Sequence, residues 1–433
     1  MMEALIELLN KKTNVDEYKI KFSETSSTEL FFIKDELQMN RGKLVNHIEV
    51  TVYRNFEDSG SKYKGSSTVK LSPTMTIKEM EAKIDAAALA ASFVKNEYYD
   101  LVSPTKEVAP AITSKFNDGE AINHISNLVK DLYQMDHLSG AFINSVEFFI
   151  NKDHIRLINS LGLDISYDSV NGLIELITEA KGETEEIELF DFLRFSDYDP
   201  EWIKEVVKDA LIKANLRTKA IPLPNVGSIP VILTGEAVST FFSYYRAKAS
   251  GKMAYEGIST AKIGDMVQTG EITGDKVSIT MKSVILNSSH NYYYDSDGVF
   301  IKNVEIIENG KLLTYATSKK FADYLKIVPS GEIHNLEVRN GSKSIAELKQ
   351  GTYLELLNFS DFQMDPLTGN FAGEIRLGIY HDGNKEIPVT LGSISGEAKV
   401  SETDMYFSKE LQKNDCFIGP KLIKLNRVTI AGN

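Results

Sequence analysis

Three stretches near the start of the chain, YKIKF (Tyr18 to Phe22), HIEVTVY (His47 to Tyr53) and STVKL (Ser67 to Leu71), alternate apolar and polar residues. Successive side chains of a strand point to opposite faces, so a period of two predicts half-buried strands of an antiparallel sheet. The pattern returns at SVEFFI (Ser145 to Ile150), HIRLI (His154 to Ile158) and GLIELITEA (Gly172 to Ala180). A fold for this chain must therefore provide a broad sheet with one covered face.

Helices punctuate the strands. The opening MMEALIELLNKKTN spaces its apolar residues along one helical face, with Glu3 and Glu7 where a secretory signal would be positive. Thr76 and Glu79 form a capping box ahead of a helix from Ile77 to about Lys95, whose DAAALAAS stretch allows close packing on a sheet. A second helix is predicted from Gly119 to Met135. A third is opened by Asp199 as N-cap and Pro200 at the first helical position, and runs to about Leu216. This order of elements predicts an α+β fold rather than a doubly wound parallel sheet.

Pro222, Pro224 and Pro230 punctuate TKAIPLPNVGSIP (Thr218 to Pro230). They predict a boundary between an N-terminal α+β domain over 1–220, layered on a mostly antiparallel sheet, and a β-rich C-terminal domain over 221–433. In the latter, Asp297-Gly298, Asn309-Gly310, Asn340-Gly341 and Asp382-Gly383 supply residues that favour positive φ and predict tight hairpin turns.

Several function classes are disfavoured. A net charge of −13 and the lack of any run of five Lys or Arg argue against direct nucleic-acid binding. No apolar run approaches the roughly 18 residues of a membrane span. The only cysteine, Cys416, excludes an intrachain disulfide and a Cys-based zinc cluster, and a reducing, cytoplasmic setting fits. Cys416 is expected to be a buried strand residue acting as a small apolar side chain.

TGEITGDK (Thr269 to Lys276) has the wrong spacing for a phosphate loop, and no nucleophile elbow is present. The histidines, His47, His124, His137, His154, His290, His334 and His381, show no ligand spacing. HNYYYDSDG (His290 to Gly298) reads as a turn approached by partly buried tyrosines, or as the flank of a substrate groove.

The stretch TGEAVSTFFSYYRAKASG (Thr234 to Gly251) carries Val238, Phe241, Phe242, Tyr245 and Ala249 along one helical face, which predicts a core helix. Thr234 is its expected N-cap, Glu236 is placed favourably in the first turn, and Gly251 is its expected left-handed end.

Around this helix the chain resembles the TldD/PmbA family, also called TldD/TldE and labelled for modulation of DNA gyrase. The likeness is carried by the N-terminal sheet with its Ala-rich helix, by AYEGISTAKIGD (Ala254 to Asp265) and by YYYDSDGVFIKNVEIIENGKLLTYATSKKFA (Tyr292 to Ala322). It continues in VRNGSKSIAELKQGTYLELL (Val338 to Leu357), DPLTGNFAGEIRLGIYHDGNKEIPV (Asp365 to Val389) and RVTIAGN (Arg427 to Asn433). The resemblance implies peptide cleavage by a zinc metalloprotease whose TldD-type subunit bears an HExxxH motif on the central helix, with a C-terminal cysteine as further ligand.

On this chain the two His positions fall on Gly235 and Thr240 and the Glu position on Glu236, while Cys416 lies too close to Pro420 to match the family's ligand. One carboxylate does not hold zinc. The pattern looks like the TldE/PmbA branch, which implies a non-catalytic subunit with no cofactor of its own. A TldD-type partner would supply zinc, a peptide would be the substrate, and any gyrase link would be indirect. A homodimeric peptide-binding protein remains an alternative, as does an independent peptidase with another kind of site around Glu236 and His290 to Asp297.

Overall fold

A computed structural model describes residues 1–119, 121–136, 140–183 and 185–432. The alternating stretches fall in one seven-stranded sheet made of β1 (Glu17–Ile33), β2 (Glu36–Asp58), β3 (Ser61–Leu71), β4 (Asn96–Glu97), β5 (Ala141–Asn159), β6 (Asp164–Lys181) and β7 (Glu186–Phe195). Their order is β4-β3-β2-β1-β5-β6-β7, and every neighbouring pair is antiparallel.

The strands are longer than the alternation predicts. SVEFFI and HIRLI are parts of the single strand β5, and β1 runs through the polar SETSSTE stretch in the middle of the sheet. A cross-strand polar ladder permits this: Thr25 Oγ1 donates to Asp153 (2.5 Å), Ser27 Oγ to Asn151 (2.5 Å), Asn171 Nδ2 to Asp153 (2.8 Å) and Asn151 Nδ2 to Asn171 (3.0 Å). Polar side chains on a sheet are stable when they satisfy one another across the strands.

The apolar face is covered by helices. α1 (Met2–Lys11) and α2 (Ile77–Ala91) bury Leu5, Leu9, Met80 and Ile84 against Ile20 and Val50. α3 (Ala121–Tyr133) and α4 (Pro200–Arg217) bury Ile125, Leu128, Val207 and Leu211 against Phe148 and Ile174. The capping box of Thr76 and Glu79 forms as expected, and Asp199 Oδ1 accepts from the backbone N–H groups of Glu201 and Trp202. α2 ends four residues earlier than expected, where Ser92 Oγ donates to Leu89 O and competes with the helical pattern.

Beyond residue 220 the strands shorten. They are β8 (Ile221–Pro222), β9 (Val231–Thr234), β10 (Ile279–Lys282), β11 (Val304–Glu308), β12 (Lys311–Leu312), β13 (Asn335–Val338), β14 (Thr352–Met364) and β15 (Asn370–Asp382). The series ends with β16 (Glu386–Thr390), β17 (Ser393–Glu397), β18 (Tyr406–Phe407), β19 (Leu411–Asn414), β20 (Phe417–Pro420), β21 (Leu422–Leu425) and β22 (Thr429–Ala431). One sheet follows the path β18-β21-β9-β14-β15-β16-β8, with β17 joined to β15 and β22 to β17, and the other follows β12-β11-β10-β13-β20-β19. The whole is α+β.

The turn pairs divide. Asn309 and Gly310 take φ of 49° and 80° between β11 and β12, as a two-residue hairpin requires, and Gly383 takes 102° after β15. Asn340-Gly341 makes no hairpin; neither residue has positive φ, and Gly341 N donates to Ser408 O instead. No helix among the described residues is long and apolar enough to cross a membrane.

Candidate functional site

The central helix α5 (Glu236–Lys248) follows β9 directly and packs against both C-terminal sheets. Val238, Phe241, Phe242, Tyr245 and Ala249 are fully buried, as their spacing predicts. Phe241 meets Phe371 edge-on at 5.8 Å, while Phe242 stacks on Phe417 at 6.0 Å and meets Phe407 at 5.4 Å. The fully buried Tyr245 donates its hydroxyl proton to Glu402 at 2.9 Å; burial, with the Glu402 charge behind it, holds the phenol well above its ordinary pKa.

The ends of α5 differ from expectation. Its N-cap is Gly235, not Thr234, whose hydroxyl donates to Leu356 O at 2.8 Å. Gly235 has φ 57° and ψ −131°, a combination that an L side chain adopts only with strain. Gly251 does not end the helix in the left-handed region; it begins α6 (Gly251–Tyr255) behind the cap of Ser250. Gly251 packs so tightly that a Cβ there would lie 2.5 Å from the Thr317 side chain.

The motif positions therefore form no metal centre. Gly235 brings no ligand, Thr240 is half-buried without an imidazole, and Glu236 is exposed in the first turn. Glu236 faces the N-terminal sheet: burial raises the pKa of the Asp191 carboxyl on β7, Lys213 opposes the rise, and the charges of Asp209 and Glu236 add to it. A lone carboxylate beside other carboxylates and an ammonium does not fit zinc.

At the other end of α5 the structure gathers what the sequence scatters. Among the described residues, His290, Asp415 and Cys416 form the group of three metal-type side chains whose ligand atoms all lie within 4.8 Å of one another. Asp415 and Cys416 are the turn of the β19–β20 hairpin, in which Asn414 pairs with Phe417. Cys416 is thus a half-buried turn residue, not a buried strand residue. Burial and the neighbouring Asp415 raise its thiol pKa, and Arg246 of α5 and Arg194 of β7 work the other way.

Facing the turn, Ser289 Oγ donates to Asp415 Oδ1 at 2.7 Å, and His290 Nδ1 stands 3.6 Å from Asp415 Oδ2. The His334 ring lies beside His290 at 5.1 Å; burial, with Arg246 and His290 adding to it, pushes its pKa down to about 4.

Gln412 Nε2 donates to both Gly235 O and Pro420 O, which fixes the motif end of α5 at the open end of the hairpin. Cys416 lies four residues back along the strand, about 13 Å at 3.3 Å per residue. It stands away from Gly235.

The remaining sequence candidates are dispersed. His47 and His381 lie elsewhere, His124 and His154 pair with Asp118 and Asp168, and His137 lies outside the described residues. In HNYYYDSDG, Tyr294 is buried with its hydroxyl on Glu107 O, and Tyr293 stacks on Phe300. A cavity of about 570 Å³ opens next to this stretch, but its walls are Gly298, Phe300, Lys302 and Glu107 rather than the three tyrosines. Asp297-Gly298 does not join two strands. Its loop wraps Asp295, which accepts from the backbone of Asp297, Val299 and Glu332.

Residues 226–432, from before β9 through β22, match the PmbA/TldA metallopeptidase C-terminal domain. The C-terminal part of the chain is thus a domain of the PmbA/TldD family. A zinc metalloprotease TldD homolog of Saccharolobus solfataricus is 22% identical to this chain over 300 residues, 68% of the chain and 61% of the relative. The match thus spans less than two thirds of that relative. Two solved structures share the whole fold at low identity. TldE from Thermococcus kodakarensis is 18% identical with a TM-score of 0.80, and 100% of both chains is covered. A Thermotoga maritima protein described as a candidate modulator of a DNA gyrase is 18% identical with a TM-score of 0.78, covering 100% of this chain and 99% of its own.

Sequence reasoning missed the pairing of His290 with Asp415 and Cys416, which lie 125 and 126 residues away in the chain. The signal available was chemical rather than spatial. HNYYYDSDG and Cys416 each stand out alone, but nothing in their spacing joins them.

Proposed function

We propose that this PmbA/TldD chain is the non-catalytic, TldE-like subunit of a two-component zinc peptidase. The observation that carries the reading is the N-terminus of α5, where Gly235 occupies a glycine-favouring backbone conformation and Thr240 stands at the second ligand position. A homologous TldD-type subunit would supply the zinc site. This chain would help enclose an extended peptide, adding main-chain hydrogen bonds from a sheet edge with little demand on peptide sequence. A cytoplasmic setting suits this role, and a net charge of −13 makes direct DNA binding unfavourable, so any effect on gyrase would pass through a processed peptide.

The test is reconstitution. Co-expression with the TldD-type homologue of the same organism is expected to give a stable complex that cleaves unstructured peptides, with the catalytic zinc at the partner's HExxxH site and neither chain active alone. Full activity of the partner by itself, or cleavage by this chain alone, would sink the proposal.

A further inference from the structure

The turn of the β19–β20 hairpin and the loop it faces are held as though to keep a set of side chains in register. The 288–291 loop is anchored by a buried polar network. Ser288 Oγ donates to Asn335 Oδ1 at 2.6 Å and accepts from His290 N at 3.0 Å. Asn335 Nδ2 donates to Ser283 O, His290 O and Asn291 Oδ1 at 3.1, 3.0 and 3.1 Å. Ser288 and Asn335 are fully buried and Asn291 nearly so. On the other side, Leu336 N donates to Cys416 O at 2.7 Å, tying the turn to β13. Asp415 has φ 45°, which places its carboxylate at the head of a two-residue hairpin turn.

The three facing groups are an imidazole, a carboxylate and a thiol. We propose that His290, Asp415 and Cys416 form a binding site for one zinc-class divalent ion, separate from the motif positions on α5. Thiolate, imidazole and carboxylate oxygen are the ligand types that select such an ion over magnesium or calcium. Tetrahedral ligands at 2.0 to 2.3 Å from zinc stand about 3.3 to 3.8 Å apart. His290 Nδ1 and Asp415 Oδ2 are already 3.6 Å apart, and no pair of ligand atoms exceeds 4.8 Å, so rotation of the side chains about their own torsions closes the set.

The surrounding charges are compatible with this. Thiolate and carboxylate together neutralise a divalent ion, so Arg246 and Arg194 face a neutral centre. Neutral His334, stacked on His290, fixes that ring without adding a positive charge. Ser289 bridges to Asp415 and orients it, the outer-shell role that tunes ligand carboxylates. Loading the site releases the Cys416 thiol proton to solvent, so affinity falls as pH is lowered.

The measurement uses the purified full chain without a histidine tag, stripped of metal and titrated with Zn2+ against a chromophoric chelator, then with Co2+. One equivalent is expected to bind, and Co2+ is expected to give the near-ultraviolet absorption of a metal–thiolate bond. Cys416→Ser should abolish that absorption, and Cys416→Ser and His290→Ala should each weaken Zn2+ binding more than about tenfold, since outer-shell changes alone cost 10- to 100-fold. Asp415→Asn tolerates the positive φ and serves as the fold-preserving variant, with the same loss expected. Binding well below one equivalent, or affinity unchanged in Cys416→Ser and Asp415→Asn, would overturn the proposal. The readout needs no partner and no peptidase activity, so its outcome is independent of the subunit reading.

Discussion

Replacing Gly235 with Ala isolates the reason that the head of α5 carries glycine. A Cβ built at Gly235 meets nothing within 4 Å, so the substitution creates no collision. The backbone conformation, φ 57° and ψ −131°, is what remains. Holding a non-glycine residue in such a region costs about 1–3 kcal/mol, and the reduced entropy of the unfolded chain returns about 0.4–1 kcal/mol. The expected net loss is about 1–2 kcal/mol, borne by the first turn of α5.

Trp202, the only tryptophan, sits in α4 and reports on the N-terminal layer, so its fluorescence is a poor gauge of this site. Hydrogen exchange of the α5 amides is the direct assay. Amides of the first turn should exchange about 5- to 30-fold faster in Gly235→Ala if they open by local unfolding, because 1.4 kcal/mol is a factor of ten. The double variant Gly235→His, Thr240→His should show the same loosening and gain no zinc at this end of the helix. Unchanged exchange in Gly235→Ala would refute the backbone argument, and one more equivalent of tightly bound zinc in the double variant than in the parent would show that the scaffold is still competent for the motif.

Two further outcomes follow from the same region. Phe242→Ala removes a ring held between Phe407 and Phe417 and should cost about 3–5 kcal/mol, seen as a marked fall in the calorimetric melting temperature; a shift within error would mean that the helix is not the core of the C-terminal sheets. His334, with its pKa pushed down to about 4 in the folded chain, binds its proton less readily than in the unfolded chain. Its contribution to stability is present above about pH 6.5 and is lost as pH falls towards about 4, so the drop in melting temperature over that window should be smaller in His334→Gln than in the parent.

The parts of the fold legible in sequence were those governed by local chemistry. Alternation marked the strands, Thr76 with Glu79 and Asp199 with Pro200 marked helix starts, and the Phe241, Phe242 and Tyr245 stripe marked the core face of α5. What escaped was set by partners distant in the chain. The SETSSTE stretch carries no apolar alternation, and the ladder partners that let β1 run through it, Asp153 and Asn151, lie more than a hundred residues away. Thr234 has a capping side chain but spends it on Leu356. The candidate site behaved the same way: the missing ligands at Gly235 and Thr240 could be read directly, whereas His290, Asp415 and Cys416 meet only once the hairpin turn packs against the 288–291 loop.

The order β4-β3-β2-β1-β5-β6-β7 has a consequence for how the chain tolerates change in length. All but one of its adjacent pairs join strands that are consecutive in sequence; the exception is β1 with β5, where Ile33 pairs with Ser145. Closing that gap of about 110 residues costs only about 3 kcal/mol more than closing a short hairpin, because loop entropy grows with the logarithm of length, and each further doubling adds only about 0.6 kcal/mol. Fifteen residue pairs share this cost along the junction. The stretch from 108 to 113, which lies in this gap without helix or strand and without a buried residue, is therefore a place where the chain can be lengthened, or a tag inserted, while the sheet still closes.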